Sequence, residues 1–344
     1  MQSFETSSPE EKLFAVRIET KNRLNLISVR DSISEKLVFL LTTASAIVIV
    51  FIFIFIVKEA AAVLQVNSIN FVTTSGFDQQ IINAYNAPAD KPIWQFGALG
   101  LLLGTLTTTL GALLLAVPMG MSTAIVITEL APVRLRYILR IVIRLLASIP
   151  SVIYGLIGLM VVVPFIQELL ISSELQIRYI DRFQLAGNSM LAGIVVLSIM
   201  IVPIITALAV DAINAVPHHY KEAALALGIS HWGTILRVIL PAAKSGILAG
   251  IILSVGRAVG EAIALSMVSG GIGNIPQPGD GMVFFLTPVL TLASAIVNKS
   301  EIMSVPTIEA ALFACGLVLL VTCVGLSLCA RLVEYLVKRG EGRA

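Results

Sequence analysis

Long apolar runs separated by polar connections dominate this chain. A helix needs about 20 apolar residues to cross the hydrocarbon core of a bilayer, because each residue advances the helix by only about 1.5 Å. Six segments meet this requirement, so the pattern predicts an all-α integral membrane protein with six transmembrane helices. The predicted spans are residues 37–57, about 96–126, about 145–166, about 187–210, about 247–268 and about 310–330.

The composition agrees with a chain that is solvated mostly by lipid. Of its 344 residues, 57% are hydrophobic and 13% are charged. The net charge of +2 is too small for a nucleic-acid-binding surface, and the basic residues lie between the spans, so we exclude nucleic acid as a partner. Three cysteines fall within one apolar stretch and predict small buried side chains, with no metal site and no disulfide: Cys315, Cys323 and Cys329.

The distribution of lysine and arginine predicts the orientation of the spans. The connection after the second predicted span carries Arg134, Arg136, Arg140 and Arg144, whereas the one after the fifth carries only Lys299. Cytoplasmic loops are enriched in basic residues, so both termini are predicted to be cytoplasmic. The predicted segments are a cytoplasmic N-terminal tail 1–36, a first transmembrane helix and uncleaved anchor 37–57, an extracytoplasmic loop 58–95, a five-helix core 96–333 and a cytoplasmic tail 334–344.

The connection after the fourth predicted span, residues 211–246, reads DAINAVPHHYKEAALALGISHWGTILRVILPAAKSG. Its small residues predict a short helix with a shallow surface, which Gly228 can end because glycine adopts positive φ without a Cβ penalty. Ser230 is the predicted N-cap of a second helix before Pro241. Such a short helix can dock in a groove of a soluble partner; the alternative interpretation is an amphipathic linker that rests on lipid headgroups.

The same connection resembles the EAA loop of ABC importer permeases, with Val238 where the usual form has Ile. The resemblance implies that this loop couples the spans to a separate ATP-hydrolysing subunit. No Gly-Lys dipeptide occurs in the chain, so no phosphate-binding P-loop is predicted. We therefore expect a subunit that is not an enzyme and carries no cofactor, with ATP and Mg on the partner. The implied coupling residues are Glu222, Ala223, Ala224, Gly228, Leu240 and Pro241.

Two charges lie within the apolar run ILAGIILSVGRAVGEAIALSMVSGG of the fifth predicted span. Arg257 and Glu261 are spaced i, i+4 and are expected on one face of a continuous helix. One interpretation is a structural ion pair. The other is a substrate pathway, in which Arg257 contacts a small oxyanion transiently and Glu261 limits how tightly it is held. The run is similar to the corresponding helix of phosphate-specific permeases, in which an Arg and a Glu of this kind are associated with translocation.

Longer segments resemble the PstC-type phosphate permease family: Phe96–Pro132, Leu145–Pro164 and Met190–Pro217. The resemblance implies the type I, MetI-like permease fold with a cytoplasmic coupling helix, in the cytoplasmic (inner) membrane. It also implies import of inorganic phosphate with ATP hydrolysed on another subunit. The partners that it implies are a second, PstA-like permease, a PstB-like ATPase dimer, an extracytoplasmic PstS-like phosphate-binding protein, and membrane lipid.

Three other functions remain open from the residues alone. The substrate is another oxyanion, such as sulfate, molybdate or tungstate, if the binding protein and not the pore selects it. The chain is a membrane scaffold that senses phosphate without transport if the coupling loop has no ATPase partner. A third alternative is a secondary carrier with Glu261 as its proton site. Such carriers commonly have two related halves, which this sequence lacks.

Overall fold

A computed structural model describes residues 9–88 and 90–340. By its contacts the chain divides into two compact units, residues 1–55 and residues 56–344. The first unit is helical from Pro9, and its apolar side chains from Leu37 onward are exposed, as expected for side chains that face lipid. Residues 1–8 and 341–344, the ends of the two predicted cytoplasmic tails, lie outside the described residues.

Helices account for nearly all regular structure in the described ranges. Three short π-helical turns interrupt or end longer helices at Val126–Leu130, Gly158–Val162 and Ile235–Ile239, and two 3-10 turns lie at Pro278–Asp280 and Ser300–Ile302. The α-helices are Pro9–Asn67, Asn70–Thr73, Phe77–Asn86, Leu99–Ile125, Val133–Ala147, Ser151–Ile157, Val163–Leu170, Ser173–Tyr179, Met190–Asn214, His218–Ala226, His231–Thr234, Leu240–Val259, Ile263–Val268, Val283–Leu286, Leu292–Asn298 and Pro306–Gly340.

Six helical segments of the described chain are long and apolar enough to cross a membrane, which confirms the predicted number. We call them the first to sixth spans. They are Ser34–Asn67, Leu99–Leu130, Ser151–Leu170, Met190–Asn214, His231–Val259 and Pro306–Leu332.

The predicted boundaries of the first, third and fifth spans were wrong. The first span continues to Asn67 and does not end at Val57. The third span begins at Ser151 and not near Leu145, because Pro150 has an extended conformation and separates it from the helix Val133–Ala147. The fifth span begins at His231 and ends at Val259, because helix formation continues through Pro241 but stops at Gly260. The predicted coupling loop is correspondingly shorter, since residues 211–214 belong to the fourth span and residues 231–246 to the fifth.

The fourth span is the central helix of the second unit. In the most apolar stretch of this span, 67% of the residues are buried, compared with 33% or less in each of the other spans. Small residues of the neighbouring spans allow this close packing. A Cβ built at Gly120 of the second span would lie 2.8 Å from Ile205 Cγ2, and one at Gly250 of the fifth span would lie 2.8 Å from Leu208 Cβ.

The second, fourth and fifth spans meet in a compact group of buried side chains next to the short helix His218–Ala226. We call this group the coupling-end cluster. Two of the three π-helical turns contribute to it, Val126–Leu130 from the second span and Ile235–Ile239 from the fifth. Its buried members are Ala124, Ile127, Ala209, Val210, Ile213, Ile235, Ile239 and Ala243.

Candidate functional site: the coupling helix and the charged residues of the fifth span

The short helix His218–Ala226, which we call the coupling helix, ends in a complete Schellman motif. Gly228 has a φ of +76°, and its amide donates to the Leu225 carbonyl at 3.0 Å. The next amide, that of Ile229, donates to the Ala224 carbonyl at 3.1 Å. These two bonds satisfy carbonyls that the helix end leaves unpaired. The prediction that Gly228 ends this helix with positive φ is confirmed.

Ser230 begins the next helix, as predicted. Its hydroxyl accepts the Gly233 amide at 3.2 Å, which satisfies one of the unpaired donors of the first turn. The prediction that this helix precedes Pro241 as a separate element was wrong. The π-helical turn Ile235–Ile239 leads directly into Leu240 and Pro241, so the helix that begins beside the coupling helix is the fifth span itself.

The coupling helix contacts the protein on one side and exposes the other. Ala224 is buried, whereas Glu222, Ala223 and Gly228 are exposed. Leu227 is exposed by 81%, and a Cβ built at Gly228 would have no atom within 4 Å. The outer face therefore presents an apolar ridge of small and aliphatic residues with a carboxylate beside it. This is the shallow, convex shape that fits a groove.

A partly buried ion pair links the coupling helix to the second span. Lys221 Nζ lies 2.5 Å from Glu129 Oε2, and the side chain of Glu129 is exposed by only 9%. No local sequence pattern predicts this pair, because its members are 92 residues apart in the chain. The available signal was that Glu129 is the one acidic residue between Phe96 and Pro132.

Arg257 and Glu261 do not lie on one helical face. The fifth span ends at Val259, and Gly260 caps it. Glu261 is buried, and its Oε1 accepts the Ala264 amide at 3.1 Å, so its carboxylate starts the next helix, Ile263–Val268. No ion pair within 4.0 Å joins the two side chains, both of which are described. The structural ion pair that the spacing suggested is therefore absent.

Arg257 is exposed in the last turn of the fifth span. Its guanidinium makes no hydrogen bond or ion pair with any described residue, and its charge acts on the Tyr154 hydroxyl of the third span. The Tyr154 hydroxyl itself donates to the Leu146 carbonyl at 2.9 Å. A cation in a membrane span requires water, an anion or another protein surface beside it. Arg257 is thus available to a ligand or to a neighbouring subunit.

The helix break beside Arg257 is held in place by its neighbours. Ser294 Oγ donates to the Ala262 carbonyl at 3.0 Å. The third span packs closely against the helix that follows the break, since a Cβ built at Gly155 would lie 2.9 Å from Ala264 Cα. The position of Glu261 relative to Arg257 is therefore fixed by packing as well as by the helix cap.

Residues 116–339 match the family described as "Binding-protein-dependent transport system inner membrane component". The chain belongs to this family. It is therefore a multi-pass inner-membrane protein and a permease subunit of an ABC transporter, not a catalytic subunit.

Two relatives cover most of the chain. The "Phosphate transport system permease protein PstC" of Pasteurella multocida (strain Pm70) is 36% identical over 79% of this chain and 83% of its own length. The protein of the same name from Mesorhizobium japonicum is 32% identical over 92% of this chain and 93% of its own length. The likeness extends to the N-terminal part of the chain, beyond the residues that match the family description.

Among solved structures, one chain of a bacterial alginate ABC transporter, in complex with a pentasaccharide-bound periplasmic protein, has a similar fold. The TM-score is 0.51 at 17% identity, covering 85% of this chain and 92% of that one. This likeness, with the six spans, supports the predicted ABC importer permease fold.

Proposed function

We propose that this chain is the PstC-type permease subunit of an ABC importer that moves inorganic phosphate across the cytoplasmic membrane. The observation that carries the proposal is Arg257, an exposed guanidinium at the end of a membrane span with no partner among the described side chains. A guanidinium matches the oxygen geometry of phosphate and can bind it through paired hydrogen bonds. The relatives named PstC support phosphate as the anion.

Glu261 modulates this contact in the proposed mechanism. Its carboxylate is buried four residues beyond Arg257 in the chain and accepts the Ala264 amide, which restricts its movement. A fixed negative charge near the guanidinium lowers its affinity for an anion. Phosphate then binds Arg257 long enough to pass but not long enough to block the pathway, which is the requirement for conduction.

The coupling helix receives the motion of the ATPase. Glu222, Ala223 and Gly228 lie on its exposed side and are proposed to dock in the ATPase groove. Leu240 and Pro241 lie in the fifth span, which is helical from His231 to Val259 and includes the π-helical turn Ile235–Ile239. From His231 to Arg257 this helix is about 39 Å long at about 1.5 Å per residue. A push beside its first turn therefore reaches the proposed phosphate contact through one continuous helical segment.

The complete transporter in this proposal contains a second, PstA-like permease, a PstB-like ATPase dimer that binds ATP and Mg, and a PstS-like phosphate-binding protein. Both termini, in the segments 1–36 and 334–344, are cytoplasmic, and the part of the predicted segment 58–95 that follows the first span faces outward. Closure of the ATPases on ATP would tilt the spans and open the outward side to receive phosphate. Hydrolysis would then reset the cycle.

Reconstitution of the four kinds of subunit in vesicles tests the proposal. We expect uptake of labelled phosphate that requires ATP and is competed by unlabelled phosphate, but not by sulfate, molybdate or tungstate at the same concentration. ATP-dependent uptake of labelled sulfate, molybdate or tungstate instead of phosphate would leave the coupling mechanism intact and refute the substrate. Uptake without ATP would refute the ABC importer function and favour a secondary carrier. Absence of any uptake by an assembled complex would favour the sensing scaffold.

A further inference from the structure

The contact between the coupling helix and the second span includes one feature beyond the family motif, the Lys221–Glu129 ion pair. Both members are more buried than is usual for surface charges, with 32% of the Lys221 side chain and 9% of the Glu129 side chain exposed. Removing one member of a partly buried pair leaves the other charge poorly solvated and without a partner, so the loss is larger than at an exposed pair.

A second pair at the same end of the spans provides a comparison. Arg144 and Asp211 lie 3.5 Å apart, with 70% and 61% of their side chains exposed. Exposed pairs of this kind contribute little, because water and salt screen them. Asp211 lies in the fourth span and not on the coupling helix. Of these two pairs, only Lys221–Glu129 is built to carry a force between the coupling helix and a span.

Glu129 sits in the π-helical turn Val126–Leu130, which ends the second span. Such turns have wider hydrogen-bond spacing than an α-helix and occur frequently at functional sites. Immediately afterwards Ala131 and Pro132 take an extended conformation, so the turn is the last helical element before the chain changes direction. A pull on Glu129 therefore acts on the end of the second span and not on its middle.

We propose that the Lys221–Glu129 pair is a strut that transmits movement of the coupling helix to the second span. Lys221 directly precedes Glu222, the proposed ATPase contact. In this proposal Lys221 connects the coupling helix to the second span, and Glu222 connects it to the ATPase. The fifth span receives the same movement through the peptide chain at Ser230. The strut makes the second and fifth spans move together, and both residues are positioning residues that touch no substrate. This inference rests on the proposed ATP-driven transport.

The strut is separate from what holds the spans together. Packing between the second, fourth and fifth spans is provided by the apolar side chains of the coupling-end cluster, which remain when the pair is removed. Loss of the pair should therefore reduce coupling more than assembly. The informative quantity is the number of phosphate ions moved per ATP hydrolysed, which a purely structural defect would leave unchanged in the complexes that do assemble.

The test uses the complete reconstituted transporter with Glu129→Gln, Lys221→Met and the exchanged pair Glu129→Lys with Lys221→Glu. We expect each single variant to lower the phosphate-to-ATP ratio by about tenfold, because the remaining charge of the partly buried pair loses its partner and no longer links the two helices. The exchanged pair should recover most of the ratio. Asp211→Asn, which removes the exposed pair, is the matched control and should stay within about twofold of wild type.

Three results would overturn the strut: single variants with the wild-type ratio, an exchanged pair that assembles yet stays as low as the single variants, or a loss as large in Asp211→Asn. If the single variants do not assemble, Lys221→Arg decides. It keeps the charge and should hold the ratio near wild type, and a tenfold loss would refute the strut. Wild type without ATP-driven uptake would refute the proposed function, and the strut with it.

Discussion

Arg257 and Glu261 are four residues apart yet do not share a helix, because the fifth span ends at Val259 and Glu261 lies in the break before the helix Ile263–Val268, where it accepts the Ala264 amide. The carboxylate thus has two tasks, a helix cap and a fixed negative charge near the guanidinium. The two tasks can be separated by substitution. Glutamine keeps an acceptor oxygen for the cap but removes the charge, whereas alanine removes both.

Glu261→Gln should assemble normally and transport more slowly, because phosphate then leaves Arg257 less readily. Glu261→Ala should also lose the cap, at a cost of about 1 kcal/mol. Thermal unfolding of the purified complex in detergent, compared with phosphate uptake, separates these effects. We expect a lower Tm for the alanine variant only, and reduced uptake for both. An equal Tm for the two variants would show that the Ala264 hydrogen bond does not stabilise the break.

Gly228→Ala tests the left-handed end of the coupling helix. The site has open space around it, so the expected cost of about 1–2 kcal/mol comes from the backbone conformation alone. Gly228→Asn should be milder, because asparagine tolerates positive φ better than alanine. Gly325→Ala in the sixth span is the control, since its Cβ would also have open space and its backbone is helical.

The measurement for Gly228 is co-purification of the ATPase with the permease. We expect less ATPase with Gly228→Ala than with Gly228→Asn, and wild-type amounts with Gly325→Ala. If Gly228→Ala retained the ATPase as well as the control variant, the Schellman geometry would have no part in the proposed docking.

Leu227→Ser tests whether the exposed ridge of the coupling helix contacts the ATPase. Leu227 is exposed by 81%, so its removal should not affect the packing of the spans. We expect a fall of about tenfold in ATPase affinity, the size associated with burial of a leucine side chain at a contact. Val133→Ser is the matched control, because Val133 is also exposed by 81% but lies outside the coupling helix.

Titration of labelled ATPase onto permease in nanodiscs provides the affinity for both Leu227→Ser and Val133→Ser. An equal loss with the two variants would indicate a general effect of surface polarity, and no loss with either would place the ATPase contact elsewhere on the chain.

The parts of the fold that depend on local chemistry followed from the sequence. The length of the apolar runs identified six spans, because a segment that crosses lipid must satisfy its backbone hydrogen bonds internally, as a helix does. Gly228 and Ser230 were predicted to end one helix and begin the next, since positive φ and N-capping depend on one residue and its immediate neighbours.

The parts of the fold that depend on competing local signals, or on contacts between residues far apart in the chain, could not be predicted from the sequence. A glycine such as Gly260 does not by itself end a transmembrane helix, and the break also needs the Glu261 carboxylate to cap the next one. The Lys221–Glu129 pair joins residues 92 apart, which no local pattern reveals. The helix Val133–Ala147 has apolar residues that continue the hydrophobic pattern of the following span, so the pattern does not show where one helix ends and the next begins. The two helices are separated at Pro150.

The most direct test of the central claim is ATP-dependent uptake of labelled phosphate by the reconstituted transporter with Arg257→Gln, compared with Arg257→Lys and with Arg134→Gln, an exposed arginine outside the spans. We expect the glutamine variant to assemble and hydrolyse ATP but to lose phosphate uptake by about a hundredfold, as expected when a charge-assisted contact of about 3 kcal/mol is removed. The lysine variant should retain part of the uptake, and Arg134→Gln should resemble wild type. Wild-type uptake with Arg257→Gln would contradict the account.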